Sequence, residues 1–245
     1  MPSPALRSSN PALAPERFRD AVGEGHMTVT GTALRTMILL LLVGGSASYT
    51  WWQLAPDPAA AGPYIMGGMI GGLVLAMITI FKPHLAPWTA PLYAVTEGLA
   101  LGALSMLMNI QYAGLPVQAV MLTLAVFLGM LALYAFRIIR VTERFRAIMV
   151  GAIFGIMLFY LGQMLLGFFG VTFPGVNGGG TLGIGISIIT AGVAALSLLL
   201  DFDRIEQASA AGAPKMMEWY GAFGLIVTLV WLYIELLNLL RKMRD

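Results

Sequence analysis

The sequence predicts an all-α membrane protein, a bundle of seven transmembrane helices, and three observations predict it. Of the 245 residues, 58% are hydrophobic and only 11% are charged, whereas a soluble domain carries about 25% charged residues. Mean hydropathy is +0.83. The apolar residues fall into seven continuous runs, each near the ~20 residues that a helix needs to cross the hydrocarbon core. None shows the period-2 alternation of a membrane barrel. There are too few charges to coat a water-facing surface, which excludes an ordinary soluble enzyme, a coiled coil and a disordered chain.

Taken in order, residues 1–30 are polar and rich in proline, serine and arginine, with no apolar core of a cleavable signal. They are expected to form a flexible cytoplasmic tail ahead of a seven-span domain over 31–245. The expected spans are 36–53, 64–81, 90–109, 117–136, 147–169, 182–200 and 217–240. Short connectors separate them, punctuated by Pro56-Asp57-Pro58, Lys82-Pro83-His84, Leu115-Pro116 and the stretch from Pro174 to Gly180. No internal repeat supports an inverted-repeat transporter.

Basic residues set the expected orientation. Arg7, Arg17, Arg19 and Arg35 precede the first span, Lys82 follows the second, Arg137, Arg140, Arg144 and Arg146 follow the fourth, and Arg204 and Lys215 follow the sixth. The alternate connectors 54–63, 110–116 and 170–181 have no Lys or Arg. The positive-inside rule then puts the N-terminus in the cytoplasm. Arg241, Lys242 and Arg244 oppose it, because a seventh full crossing carries them to the other side. Either the rule is overridden there or the last segment stops short of crossing. Lys82 and His84 read as interfacial, and Trp51, Trp52 and Trp88 as belt aromatics.

Small residues predict where helices meet. Gly67 and Gly71, Gly68 and Gly72, and Gly151 and Gly155 have GxxxG spacing. Gly183, Ser187, Thr190, Ala194 and Ser197 form a stripe along one face of span six that leads to Asp201. Gly221, Gly224, Thr228, Trp231, Glu235 and Asn238 form another in span seven.

Packing does not explain the acids. A charge at the bilayer centre costs roughly 2.5–3.5 kcal/mol on insertion scales, so intramembrane acids are default functional candidates. Four stand out: Glu97 within span three, Asp201 and Asp203 where span six ends, and Glu235 in span seven. No Lys or Arg lies mid-span to neutralise them. Burial disfavours the charged form of a carboxylate, and a close pair of carboxylates shares a proton. Protonated, such a pair holds two helices together; ionised, it repels itself or takes up a cation. Any two of these acids that meet are therefore candidate Ca²⁺ ligands as well as a proton switch, a weak Ca²⁺ site unless carbonyls and water complete it. The plainer alternatives are a local hydrogen bond for Glu97, capping or pairing with Arg204 for Asp201 and Asp203, and a Glu235 that reaches to the end of its helix.

The missing residues also exclude chemistries. There is no cysteine, hence no disulfide, zinc thiolate, iron–sulfur cluster or thiol nucleophile. His26 and His84 are the only histidines, and neither lies in a long apolar run, so a bis-His haem is excluded. No P-loop, HExxH or G-x-S-G with an intramembrane histidine is present, and no mid-span lysine could form a Schiff base. A net charge of +2 gives no reason to expect nucleic acid. The sequence points to no enzyme and to no resident cofactor.

Three stretches resemble the Bax inhibitor-1/YccA family. They are Thr96-Glu97-Gly98-Leu99-Ala100-Leu101-Gly102, Asp201-Phe202-Asp203-Arg204-Ile205 and Leu232-Tyr233-Ile234-Glu235-Leu236-Leu237-Asn238-Leu239-Leu240. Pro214-Lys215-Met216-Met217-Glu218-Trp219-Tyr220 looks like the bacterial subgroup. The resemblance covers most of residues 30–245. It implies a Bax inhibitor-1-like seven-span fold in a bacterial plasma (inner) membrane. It also implies a pH-sensitive calcium leak channel whose gate is an acidic pair between spans six and seven. Carried over, that pair falls on Asp201 and Glu235, with Asp203 or Glu97 opposite Glu235 as alternatives. On this expectation Ca²⁺ or protons are the permeant ions, Asp201 and Glu235 gate near the cytoplasmic side, and Glu97 lines the path. The resemblance also implies association with a membrane-bound AAA protease, which supports a second reading: a non-conducting regulator of that protease or of a stress pathway.

Overall fold

A computed structural model describes residues 25–170, 176 and 178–245. Of the expected tail, residues 1–24 lie outside the described residues, as do 171–175 and 177 of the connector after span five.

Seven long α-helices lie among the described residues: α1 Val29–Leu54, α2 Ala61–Phe81, α3 Ala86–Gln111, α4 Leu115–Ala135, α5 Glu143–Phe168, α6 Thr181–Ala210 and α7 Met217–Lys242. All seven are long and apolar enough to cross a membrane, which makes this a multi-pass membrane protein. Short 3₁₀ turns at Pro58–Ala60 and Pro83–Leu85 precede α2 and α3. The helices start where the chain offers caps. Thr28 accepts from the Gly31 amide ahead of α1, and Thr142 accepts from Phe145 ahead of α5. Gly114, at φ 74°, turns the chain into α4, and Gly212, at φ 70°, closes α6.

The seventh helix, at 26 residues, is long enough to cross in full. α7 is the hub of the bundle, packed against α1, α3, α4 and α6, while α2 lies on α3 and α5 lies mainly on α6. Hence α7 is buried on several faces rather than along one stripe, and α5 buries only Met149. One core cluster joins α1, α3, α4 and α7 around Leu39, Tyr93, Phe223 and Ile226. A second joins α6 and α7 around Leu198, Phe202, Leu229 and Leu232.

The two ends of the bundle are tied differently. At the end carrying the start of α1, residues 25–28 are not a loose tail. The Met27 amide donates to Ala213 O at 2.7 Å, and His26 Nδ1 lies 3.0 Å from Gly212 O. This end also carries Arg137, Arg140 and Arg204 and is called the basic end below. At the opposite end two of the C-terminal basic residues, Lys242 and Arg244, donate to backbone carbonyls. Lys242 Nζ donates to Val176 O (2.8 Å) and Gly183 O (3.2 Å), and Arg244 donates to Ala113 O (3.1 Å). These carbonyls offset part of the positive charge at that end.

Glycine spacing is used selectively. Gly68 and Gly72 sit against Ala100, Thr96 and Glu97 of α3, so that seam is tight. Gly98 and Gly102 of α3 press on the backbone of Val43 and Ala47 in α1, a GxxxG contact that the sequence reading did not single out. Among the described residues, a β-carbon at Gly151 or Gly155 would meet nothing within 4 Å, so the packing expected of them is absent there.

Candidate functional site

The seam between α6 and α7 carries the candidate site. The small stripe of α6 is buried along its length, with Ser187 and Thr190 each 3% exposed and Ala194 fully enclosed. The connector between the two helices is short, so residues equally far from it face each other across the hairpin. This register decides which groups meet the acids.

Asp201, half-buried, accepts the Thr228 hydroxyl at 2.6 Å. Glu235, 3% exposed, accepts from Thr190 of α6 at 2.7 Å, from the Tyr160 hydroxyl of α5 at 2.9 Å and from the Trp231 indole at 3.1 Å. The expected Asp201–Glu235 pair is therefore not formed. Thr190 and Asp201 are eleven positions apart on α6, about 16 Å along the axis. Asp201 lies in the half of the bundle nearer the basic end and Glu235 in the other half, so the two do not sit together at one gate. No single Ca²⁺, which takes ligands at about 2.3–2.6 Å, touches both in this packing.

The alternative pairings with Glu235 are not formed either. Asp203 accepts from Arg146 of α5 at 2.9 Å and from Gln207 at 2.7 Å. Its partner is thus an arginine on the neighbouring helix and not Arg204. Glu97, half-buried, fills the space beside Gly72 of α2, where a β-carbon would collide with its carboxylate. Among the described residues, no three His, Asp or Glu side chains converge as metal ligands.

The surroundings of the acids are chemically distinct. Among the described residues, neither Asp201 nor Glu235 has a cation within salt-bridge reach. Hydrogen-bonded neutral groups hold both inside the spans, an expensive placement unless every lone pair finds a donor. The Trp231 N–H has no lone pair to offer a metal. One turn beyond Tyr160, the Gln163 amide nitrogen is buried without a partner.

Two groups escaped the sequence reading. Glu218, 1% exposed at the start of α7, accepts from the Thr28 amide and hydroxyl, both at 2.9 Å, and forms an ion pair with Arg35. The Arg35 guanidinium also stacks 5.4 Å from the Trp219 ring. The partners are about 180 positions apart in sequence, so no local pattern could find them. Thr190 reads from the sequence only as a small packing residue, although its hydroxyl is the shortest donor to Glu235.

A family model described as Bax inhibitor 1 like matches residues 9–245. Searches of curated proteins and of solved structures each returned no match.

Proposed function

The chain belongs to the Bax inhibitor 1 like family, and from that premise we propose that it is a pH-sensitive cation leak pathway whose permeant ions are Ca²⁺ or protons. The observation that carries the proposal is the placement of Asp201 and Glu235. Two carboxylates lie inside the spans, on one helix seam, at different depths, and neutral donors alone hold them. A structural acid in lipid is normally paired with a cation, as Asp203 is with Arg146 and Glu218 with Arg35. Asp201 and Glu235 depart from that pattern, and each is a station that a proton or cation can occupy.

In this reading the seam is closed in the packing described above. Protonation changes the charge at each station and biases α6 against α7 between a tight and a looser arrangement. Glu97, facing the α2–α3 seam, acts away from the two stations. No catalytic step and no resident cofactor is involved, and Ca²⁺ is cargo. We place the protein in a bacterial inner membrane with the basic end and the N-terminus in the cytoplasm, as the positive-inside rule favours.

The test is Ca²⁺ flux into proteoliposomes across mildly acidic to mildly alkaline pH. Wild type is expected to conduct above empty vesicles, with a pH dependence that Asp201→Asn or Glu235→Gln displaces. Folded wild type that conducts no more than empty vesicles at every pH defeats the proposal. The alternative, a non-conducting regulator of a membrane-bound AAA protease, then becomes the reading to pursue.

A further inference from the structure

α1 and α4 do not pack on each other along their length at the basic end. They leave a lateral cavity of about 880 Å³, floored by Phe202 and Ile205 of α6 and Leu225 of α7. That volume lies within the ~300–1,000 Å³ usual for small-molecule sites. Its walls are apolar, with Met37 and Leu40 of α1 facing Phe127, Leu128 and Leu131 of α4. Arg137 and Arg140 lie at its rim, on the turn that follows α4.

We propose that this groove holds one anionic phospholipid, its acyl chain between α1 and α4 and its headgroup phosphate against Arg137 and Arg140. Charge complementarity selects the occupant. The rim also carries Asp203, whose charge Arg146 offsets, and Glu206, which together leave the two arginines one positive charge in excess. Asp203 is held by Arg146 and Gln207, and Glu206 accepts from the Tyr134 hydroxyl. Arg140 makes no ion pair among the described residues, and Arg137 reaches Glu206 only at 3.8 Å while 78% of its side chain stays exposed. Basic pockets between transmembrane helices bind anionic headgroups by this arithmetic.

The backbone supports the same assignment. Arg137 is the one described non-glycine residue with positive φ, 55°. It ends α4 in a left-handed cap, with the Ile138 amide donating to Leu133 O at 3.0 Å. Glycine is the usual residue at such a position, and here the chain spends it on a guanidinium at the mouth of the groove. A free phosphate would use the arginines but not the apolar walls, so the lipid is the occupant that fits both.

Native mass spectrometry of the full-length protein in detergent tests this, with phosphatidylglycerol and phosphatidylcholine of identical chains as probes. Wild type should retain phosphatidylglycerol in preference. Arg137→Gly should lower that retention about fivefold, and the Arg137→Gln/Arg140→Gln double variant tenfold or more. Arg137→Gly also suits the left-handed cap, so it should melt no lower than wild type, which separates headgroup binding from folding. Leu128→Trp, which fills the groove without changing charge, should lower retention as well. Equal retention of the two lipids by wild type overturns the proposal. So does unchanged phosphatidylglycerol retention in Leu128→Trp, which would reduce the contact to arginines on an open surface. So does full displacement of the lipid by inorganic phosphate alone.

Discussion

The hydroxyl of Thr228 in α7 points at Asp201 in α6 across 2.6 Å, and Asp201 has no partner in Glu235. The hairpin register places a threonine where an acid-pair gate would need its second carboxylate. The two acids therefore behave as separate stations, and the separation sets what each substitution does.

Removing the Thr228 hydroxyl leaves Asp201 buried without its donor. Thr228→Val is expected to lose about 1–2 kcal/mol of stability, because an unsatisfied buried acceptor costs more than the bond itself contributes. Thr228→Ser keeps the hydroxyl and should lose less. Thermal unfolding of the purified variants in one detergent decides between them. Equal melting of Thr228→Val and wild type would show that Asp201 finds another donor.

Glu235 is buffered by three donors, so single losses are expected to be mild. Tyr160→Phe should cost about 0.5–1.5 kcal/mol, since Thr190 and Trp231 remain. Tyr160→Phe combined with Thr190→Val should cost more than the two singles together, because the second loss exposes a carboxylate that the first left covered. Additive or weaker losses would mean that Glu235 is held in some other way.

The Arg35–Glu218 pair locks the start of α1 to the start of α7. Arg35→Gln should cost about 3 kcal/mol, the low end of the range for breaking a buried pair, since Arg35 retains some exposure. Replacing both partners with leucine or methionine should recover part of that loss. A double variant less stable than Arg35→Gln would contradict the account.

Glycine contacts give a paired prediction. A side chain at Gly98 would run into Val43 and Ser46 of α1, so Gly98→Val should destabilise by about 1–3 kcal/mol or more through overpacking. Gly151→Ala meets nothing within 4 Å. It should be neutral, or stabilise by up to about 1 kcal/mol through helix propensity. The same melting assay reads both.

These cases also show how far the residues alone could lead. The seven spans were legible because hydropathy is a property of each segment by itself. The α6–α7 seam was legible for the same reason, since Ser187, Thr190, Ala194 and Ser197 repeat at helical spacing. Asp201 and Glu235 were identifiable as unusual because lipid penalises any charge. Their partners were not, because a partner depends on the offset between helices. A signal was nevertheless present: counting outward from the short 211–216 connector brings Asp201 within one helical turn of Thr228, and Thr190 within one turn of Glu235. Glu218 and Arg35 meet only through the packing of α1 on α7, which no local pattern encodes. Gly151 and Gly155 carried a packing motif, but they face away from the bundle.

The most direct measurement of the central claim is a double-mutant cycle on Ca²⁺ flux. Its four proteins are wild type, Asp201→Asn, Glu235→Gln and the double variant, each followed across the same pH range in proteoliposomes. Stations about 16 Å apart along the seam should act independently. The free-energy effects of the two single changes on the flux should then add in the double variant, to within about 0.5 kcal/mol. A double variant no different from either single would mean that Asp201 and Glu235 work as one coupled pair, which would contradict the two-station account.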